Sequence, residues 1–194
     1  VVTAYVSPKS KYKDPNTGIE KEGTLFSFPV QGTNKEIGIF GSGNIKRIDR
    51  LETLDLTSIS AERLSKILAL NLSGSTRLSV LGLGQNTYLR ELDCSRAMNL
   101  GTADEGKTLD ISNCKNLQTM DVSVTKITGV NFPRNTNLIS CVLSYTNITS
   151  VKIDGAEFLT DIRITGCEDI SDFTLDRCNK LEILNAADSA IKNC

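Results

Sequence analysis

The apolar residues of this chain recur with a period of about 21 residues, and no other feature restricts its fold as strongly. In "NLQTMDVSVTKITGVNF" (116–132) the apolar skeleton is Leu117, Met120 and Val122, then Ile127, Val130 and Phe132. The stretch "NLISCVLSYTNITSVKI" (137–153) repeats it as Leu138, Cys141 and Leu143, then Ile148, Val151 and Ile153. A third unit supplies Leu159, Ile162 and Ile164, then Ile170, Phe173 and Leu175, with one extra residue near Glu168. A fourth supplies Leu181, Leu184 and Ala186, then Ile191. The starts at 117, 138, 159 and 181 lie 21, 21 and 22 residues apart.

Towards the N-terminus the pattern continues with insertions. Leu89, Leu92 and Cys94 open a unit whose second half, at Leu109 and Ile111, is delayed by "MNLGTADEGK". Ile67, Leu70 and Leu72 open an earlier one, completed by Leu78, Leu81 and Leu83. "LETLDLTSI" carries a further half-unit. "SISAERLSKIL" interrupts it, where Leu64, Ile67 and Leu68 have helix-like spacing after Ser60, a candidate N-cap. Irregularity is therefore expected at 57–66 and 97–107.

In L-x-x-L-x-L the last two apolar residues alternate, so both point to one face of a short strand. A single coil cannot bury that edge; stacking the next coil on it makes a continuous core. Three residues past the last strand position stand Thr125, Thr146 and Ser189, and in second halves Cys114, Asn135 and Cys178. Small hydrogen-bonding side chains there suit an inner corner, where turn backbone groups need partners.

The period together with L-x-x-L-x-L-x-x-(polar or Cys)-x-(L/I) resembles a leucine-rich repeat. "LRELDCSRAMNL" (89–100) is similar to the internalin-like repeats of secreted or lipid-anchored surface proteins of Bacteroidetes. The resemblance implies a leucine-rich repeat solenoid, α/β in class but mostly β: a right-handed coil of short parallel strands, about six turns of 21–22 residues. It implies a lipoprotein or other extracellular or cell-surface protein that binds a protein or glycan. Residues 37–194 are assigned to the solenoid. Residues 1–36 do not repeat; "VVTAYV" and "TLFSFPVQ", joined by the turn cluster "KDPNTG", read as a small N-terminal β cap, with a linker from a neighbouring domain as the alternative. The chain opens on Val1, which suggests processing or trimming. At the other end Cys194 lands where Val130 and Val151 stand in earlier units, so the last coil is expected to be the least protected.

Twenty-two basic and 23 acidic residues leave a net charge of −1, which favours neither nucleic acid nor an anionic membrane. No apolar run is long enough to span a bilayer. The chain has no histidine, which removes Ser-His and Cys-His nucleophile pairs and imidazole metal ligands. No cofactor or metal site is expected. The six cysteines include no C-x-x-C pair. Cys94 and Cys141 replace strand leucines two coils apart, roughly 10 Å, beyond disulfide reach; reduced thiols are expected. "GSGN" (41–44) and "DPNTG" (14–18) read as turns, since neither completes a dinucleotide or calcium motif. Asn71 and Asn147 begin sequons, and Asn71 falls inside a strand.

The non-leucine strand positions project to solvent. The candidates for contact with a partner are Glu91, Asp93, Thr119, Asp121, Ser140, Ser144, Asp161, Arg163 and Asn185. They describe a polar, mildly acidic face with two readings: a plain solvated sheet or a shallow binding surface. Paired carboxylates also suit glycoside hydrolysis, but the sequence lacks flanking aromatic platforms, and a non-enzyme is expected. A binding module leads, with a structural or adhesive spacer as the alternative.

Overall fold

A computed structural model describes residues 2–13, 20–28, 36–38, 45–51, 57–61, 64, 66–134 and 136–191. In chain order the strands are β1 (Val2–Lys13), β2 (Glu20–Phe28), β3 (Glu36–Gly38), β4 (Ile45–Leu51), β5 (Ser58–Ser60), β6 (Ala69–Asn71), β7 (Val80–Gly82) and β8 (Glu91–Asp93). They continue with β9 (Thr108–Asp110), β10 (Thr119–Asp121), β11 (Gly129–Asn131), β12 (Ser140–Val142), β13 (Ser150–Asp154), β14 (Asp161–Arg163), β15 (Asp172–Asp176) and β16 (Ile183–Asn185). The chain is a parallel β-solenoid of about six turns with almost no helix.

Each coil carries two strands. The even-numbered strands from β4 to β16 stack in parallel and in register, so Met120 stands between Leu92 and Cys141. The second strands pair as β3–β5–β7, β9–β11 and β13–β15. Between the two sets runs one apolar core in which Leu92, Met120, Cys141 and Ile162 from the first strands meet Leu109, Val151 and Phe173 from the second. At the N-terminal edge β1 lies antiparallel to both β4 and β2, with Lys13 opposite Glu20. The turns assigned to "DPNTG" and "GSGN" lie outside the described residues, as does Asn135.

The spacing that suggested a helix at 57–66 belongs to a corner. Ser60 ends β5, and no helix occurs there among the described residues. Leu64 N–H donates to the Ala61 carbonyl and Ile67 N–H to that of Leu64. Such three-residue steps recur at the other corners: Ser75 to Leu72, Cys114 to Ile111 and Leu117 to Cys114. Each step turns the chain inward and buries its third residue, which is why apolar residues three apart imitate a helix. The only helical turn among the described residues is a 3-10 turn at Asp104–Gly106.

The corner side chains satisfy the turns as expected. Thr125 Oγ donates to the Val122 carbonyl at 2.8 Å, Thr146 Oγ to that of Leu143 at 2.7 Å and Ser189 Oγ to that of Ala186 at 2.7 Å. The Cys167 thiol donates to the same Leu143 carbonyl from the next coil at 3.2 Å. The 97–107 segment, expected to be irregular, is held tightly. Gly101 N–H donates to the Ser79 carbonyl, and Lys126 N–H to that of Leu100, so the longer coil is tied to both neighbours. In the last described coil Leu184 takes the place of Ile162, yet it is 45% exposed because no described strand stacks on β16.

Cys94, Cys114, Cys141 and Cys167 are buried free thiols, and Cys178 is half-buried; Cys194 lies outside the described residues. Burial, with the nearby carboxylate Asp110, pushes the Cys114 thiol up to about 11. Burial followed by Asp93 and Asp121 raises Cys94, and burial followed by Asp121 and Asp161 raises Cys141. Thiolate is the reactive form, so these thiols should react only when the coil opens. Under native conditions, alkylation without reductant should modify Cys178 before the four buried positions. Denaturation should then bring the total to six labels, one for each cysteine of the sequence, and a shortfall would reveal a disulfide.

Candidate binding face

The outward positions of the first strands form columns along the solenoid, because parallel in-register pairing places equivalent residues side by side. One column reads Glu91, Thr119, Ser140, Asp161 and Ile183; the next reads Asn71, Asp93, Asp121, Val142, Arg163 and Asn185. The structure therefore brings Asp93 directly beside Asp121, as the spacing predicts.

Four residues of the second column shape the chain. Asn71, Asp93, Asp121 and Asn185 each end a strand, and each Oδ1 accepts the N–H two residues on. The distances are 2.9 Å from Ser73, 2.9 Å from Ser95, 2.8 Å from Ser123 and 3.2 Å from Ala187. Short acidic and amide side chains favour this because they reach their own backbone without a long stem. The acidic tone of the face is thus partly a requirement of the turn, and one oxygen of each carboxylate remains for other partners.

The turn then places one residue per coil in the left-handed region: Gly74 (φ 72°), Arg96 (60°), Val124 (58°), Tyr145 (58°), Gly166 (66°) and Asp188 (54°). Its N–H continues the ladder to the next coil, as from Arg96 to the Ser123 carbonyl, Val124 to Ser144 and Tyr145 to Thr165. These turns follow the strands directly and stack on one another from coil to coil.

A shallow hollow of about 390 Å³ opens on the face across β4 to β12. Of the predicted residues, Glu91, Asp93, Thr119, Asp121 and Ser140 line it, joined by Arg47, Asn71 and Val142. Arg47 was not among the candidates, because it precedes the first clear repeat unit; its pairing opposite Ala69 is what brings it in. It forms an ion pair with Glu91 at 3.1 Å.

The remaining candidates fall outside the hollow. Ser144 is only 8% exposed and sits in the turn after β12, so it offers little to a ligand. Arg163 pairs with Asp161 on its own strand, its Nε 3.1 Å from both carboxylate oxygens, and this partner raises the guanidinium pKa. Asn185 caps the turn of the last described coil. Among the described residues no group of three or more His, Cys, Asp or Glu side chains is arranged to hold a metal ion, and no helix is long and apolar enough to cross a membrane.

Fold and face together define the class: a parallel β-solenoid with a polar strand face. Comparison with protein-family models, curated proteins and solved structures found no match.

Proposed function

We propose that the chain is a non-catalytic binding module of the leucine-rich repeat type, carried at a cell surface, that presents its strand face to a protein or glycan. In this reading the β1–β2 hairpin is the N-terminal cap. The observation that carries the proposal is the hollow, in which polar groups of five adjacent strands converge: Arg47, Asn71, Asp93, Asp121 and Ser140. Parallel ladders hold these groups at fixed spacing, so binding needs little rearrangement. Recognition is favoured over catalysis because the carboxylates are engaged in turns and ion pairs rather than aimed at each other across a cleft.

The test immobilises the full chain beside Asp93→Lys/Asp121→Lys and a control, Thr174→Lys on β15, and passes soluble protein and polysaccharide fractions over all three. A ligand held by wild type and control but released by the double variant supports the proposal. Equal recovery on all three, including none, favours the spacer alternative.

A further inference from the structure

Independently of that reading, we infer that the open edge of β16 docks a second copy of this chain, joined antiparallel about a two-fold axis through Leu184. An unpaired strand edge is a template for another strand unless features such as charge or proline blunt it, and β16 (Ile183–Asn185) contains neither. Its apolar side is open as well. Leu184 is 45% exposed, whereas Ile162 and Cys141 in the same column are fully buried. Leu181, Ala186 and Ile191 are only partly covered.

The backbone groups at this edge select the register. One coil earlier, Ile164 N–H donates to the Asn185 carbonyl at 2.8 Å, and the Thr160 carbonyl accepts from the N–H groups of Glu182 and Ile183, each at 2.9 Å. Their equivalents one coil on are the Ala186 N–H and the Glu182 carbonyl, and neither has a backbone partner among the described residues. In an antiparallel pair, residues that exchange both bonds recur at every second position. Centred on Leu184, that pattern joins Leu184 to Leu184 of the second copy and each Ala186 N–H to the other copy's Glu182 carbonyl. The groups it leaves out are already used: Glu182 N–H by Thr160, and the Ala186 carbonyl by the N–H and hydroxyl of Ser189. An axis perpendicular to the sheet keeps both apolar sides together, so the leucines meet over a core continued from copy to copy. The charges agree with the same register. Lys180 and Asp188, both exposed and equally far from Leu184, fall opposite each other at both ends of the join. The Lys180 ammonium rests over the Phe158 ring at 4.8 Å, a contact that leaves donors free for a carboxylate.

The test is sedimentation equilibrium of the 194-residue chain from low to high micromolar concentration. A two-fold join closes on itself, so a monomer–dimer equilibrium with nothing larger is expected. Leu184→Glu should abolish the dimer. Lys180→Asp and Asp188→Lys should each raise its Kd about tenfold, because symmetry turns two attractive pairs into repulsive ones at once. The two changes together should restore the wild-type Kd. A monomer at every concentration overturns the inference and gives the edge to a different partner. Open-ended association overturns it in favour of head-to-tail stacking. A dimer that survives Leu184→Glu, single reversals without effect, or a double variant no tighter than either single one overturns it too.

Discussion

Leu143→Ala should destabilise the protein by about 2–5 kcal/mol, the usual cost of lost transfer energy plus a cavity in a core that cannot collapse. Leu143 is completely buried, and its column holds Val122 and Ile164 on the coils to either side, both also fully buried. Its backbone is fixed from several directions. Its N–H donates to the Arg163 carbonyl at 2.7 Å, and its own carbonyl accepts the Thr146 hydroxyl and the Cys167 thiol. Neighbouring coils therefore cannot close over the gap without breaking their ladder. Urea unfolding should show a lower midpoint with an unchanged slope. A loss below about 1 kcal/mol, less than any ordinary buried leucine truncation, would mean that the register of this coil is wrong.

Gly101→Ala should cost about 3 kcal/mol or more, although it adds a single methyl group, because it combines backbone strain with a clash that no rotamer relieves. Gly101 has φ +98°, and a Cβ there would fall on the peptide joining Lys126 to Ile127 in the next coil. To make room, the longer coil must move away from its neighbour, and the Lys126–Leu100 and Gly101–Ser79 hydrogen bonds are placed at risk. Gly74→Ala is the matched comparison. Gly74 also has positive φ (+72°), but nothing lies within 4 Å of its would-be Cβ. It should show the backbone term alone, about 1–2 kcal/mol. Thermal or urea unfolding of the two variants separates strain from contact, and equal losses would mean that the 97–107 segment is not packed as described.

The placement of the candidate residues on one strand face follows in part from the register. Once a strand's inward residues are known, the outward ones follow from alternation, so the sequence alone makes Glu91, Asp93, Thr119, Asp121 and Ser140 neighbours. What alternation cannot tell is where a strand stops. Continuing the period of two past Val142 makes Ser144 outward, but the chain turns there and covers it. Nor can it tell which charges are already matched. Asp161 and Arg163 share one strand face, and their pairing with each other follows from reach within that strand.

The second strand of each coil shows the same division. Its apolar residues, such as Ile148, Val151 and Ile153, were visible as half of the repeat, but corner steps of three residues carry the same spacing as a helical face. Only the bonds from Leu64 to Ala61 and from Ile67 to Leu64 show that the chain is turning there. The pairing of Tyr145 with Gly166 had no sequence signal either: 21 residues separate a ring from the glycine that admits it, and both sit in turns whose backbone sign is invisible in composition.

The sequence by itself determined that this chain stacks coils about 21 residues long on a shared apolar core, because a repeated skeleton has only its own copies to bury against. The tertiary structure alone decided which polar groups meet. Side chains on different coils become neighbours through strand register and through turns that select left-handed backbone. Those are properties of adjacent coils together rather than of any one segment.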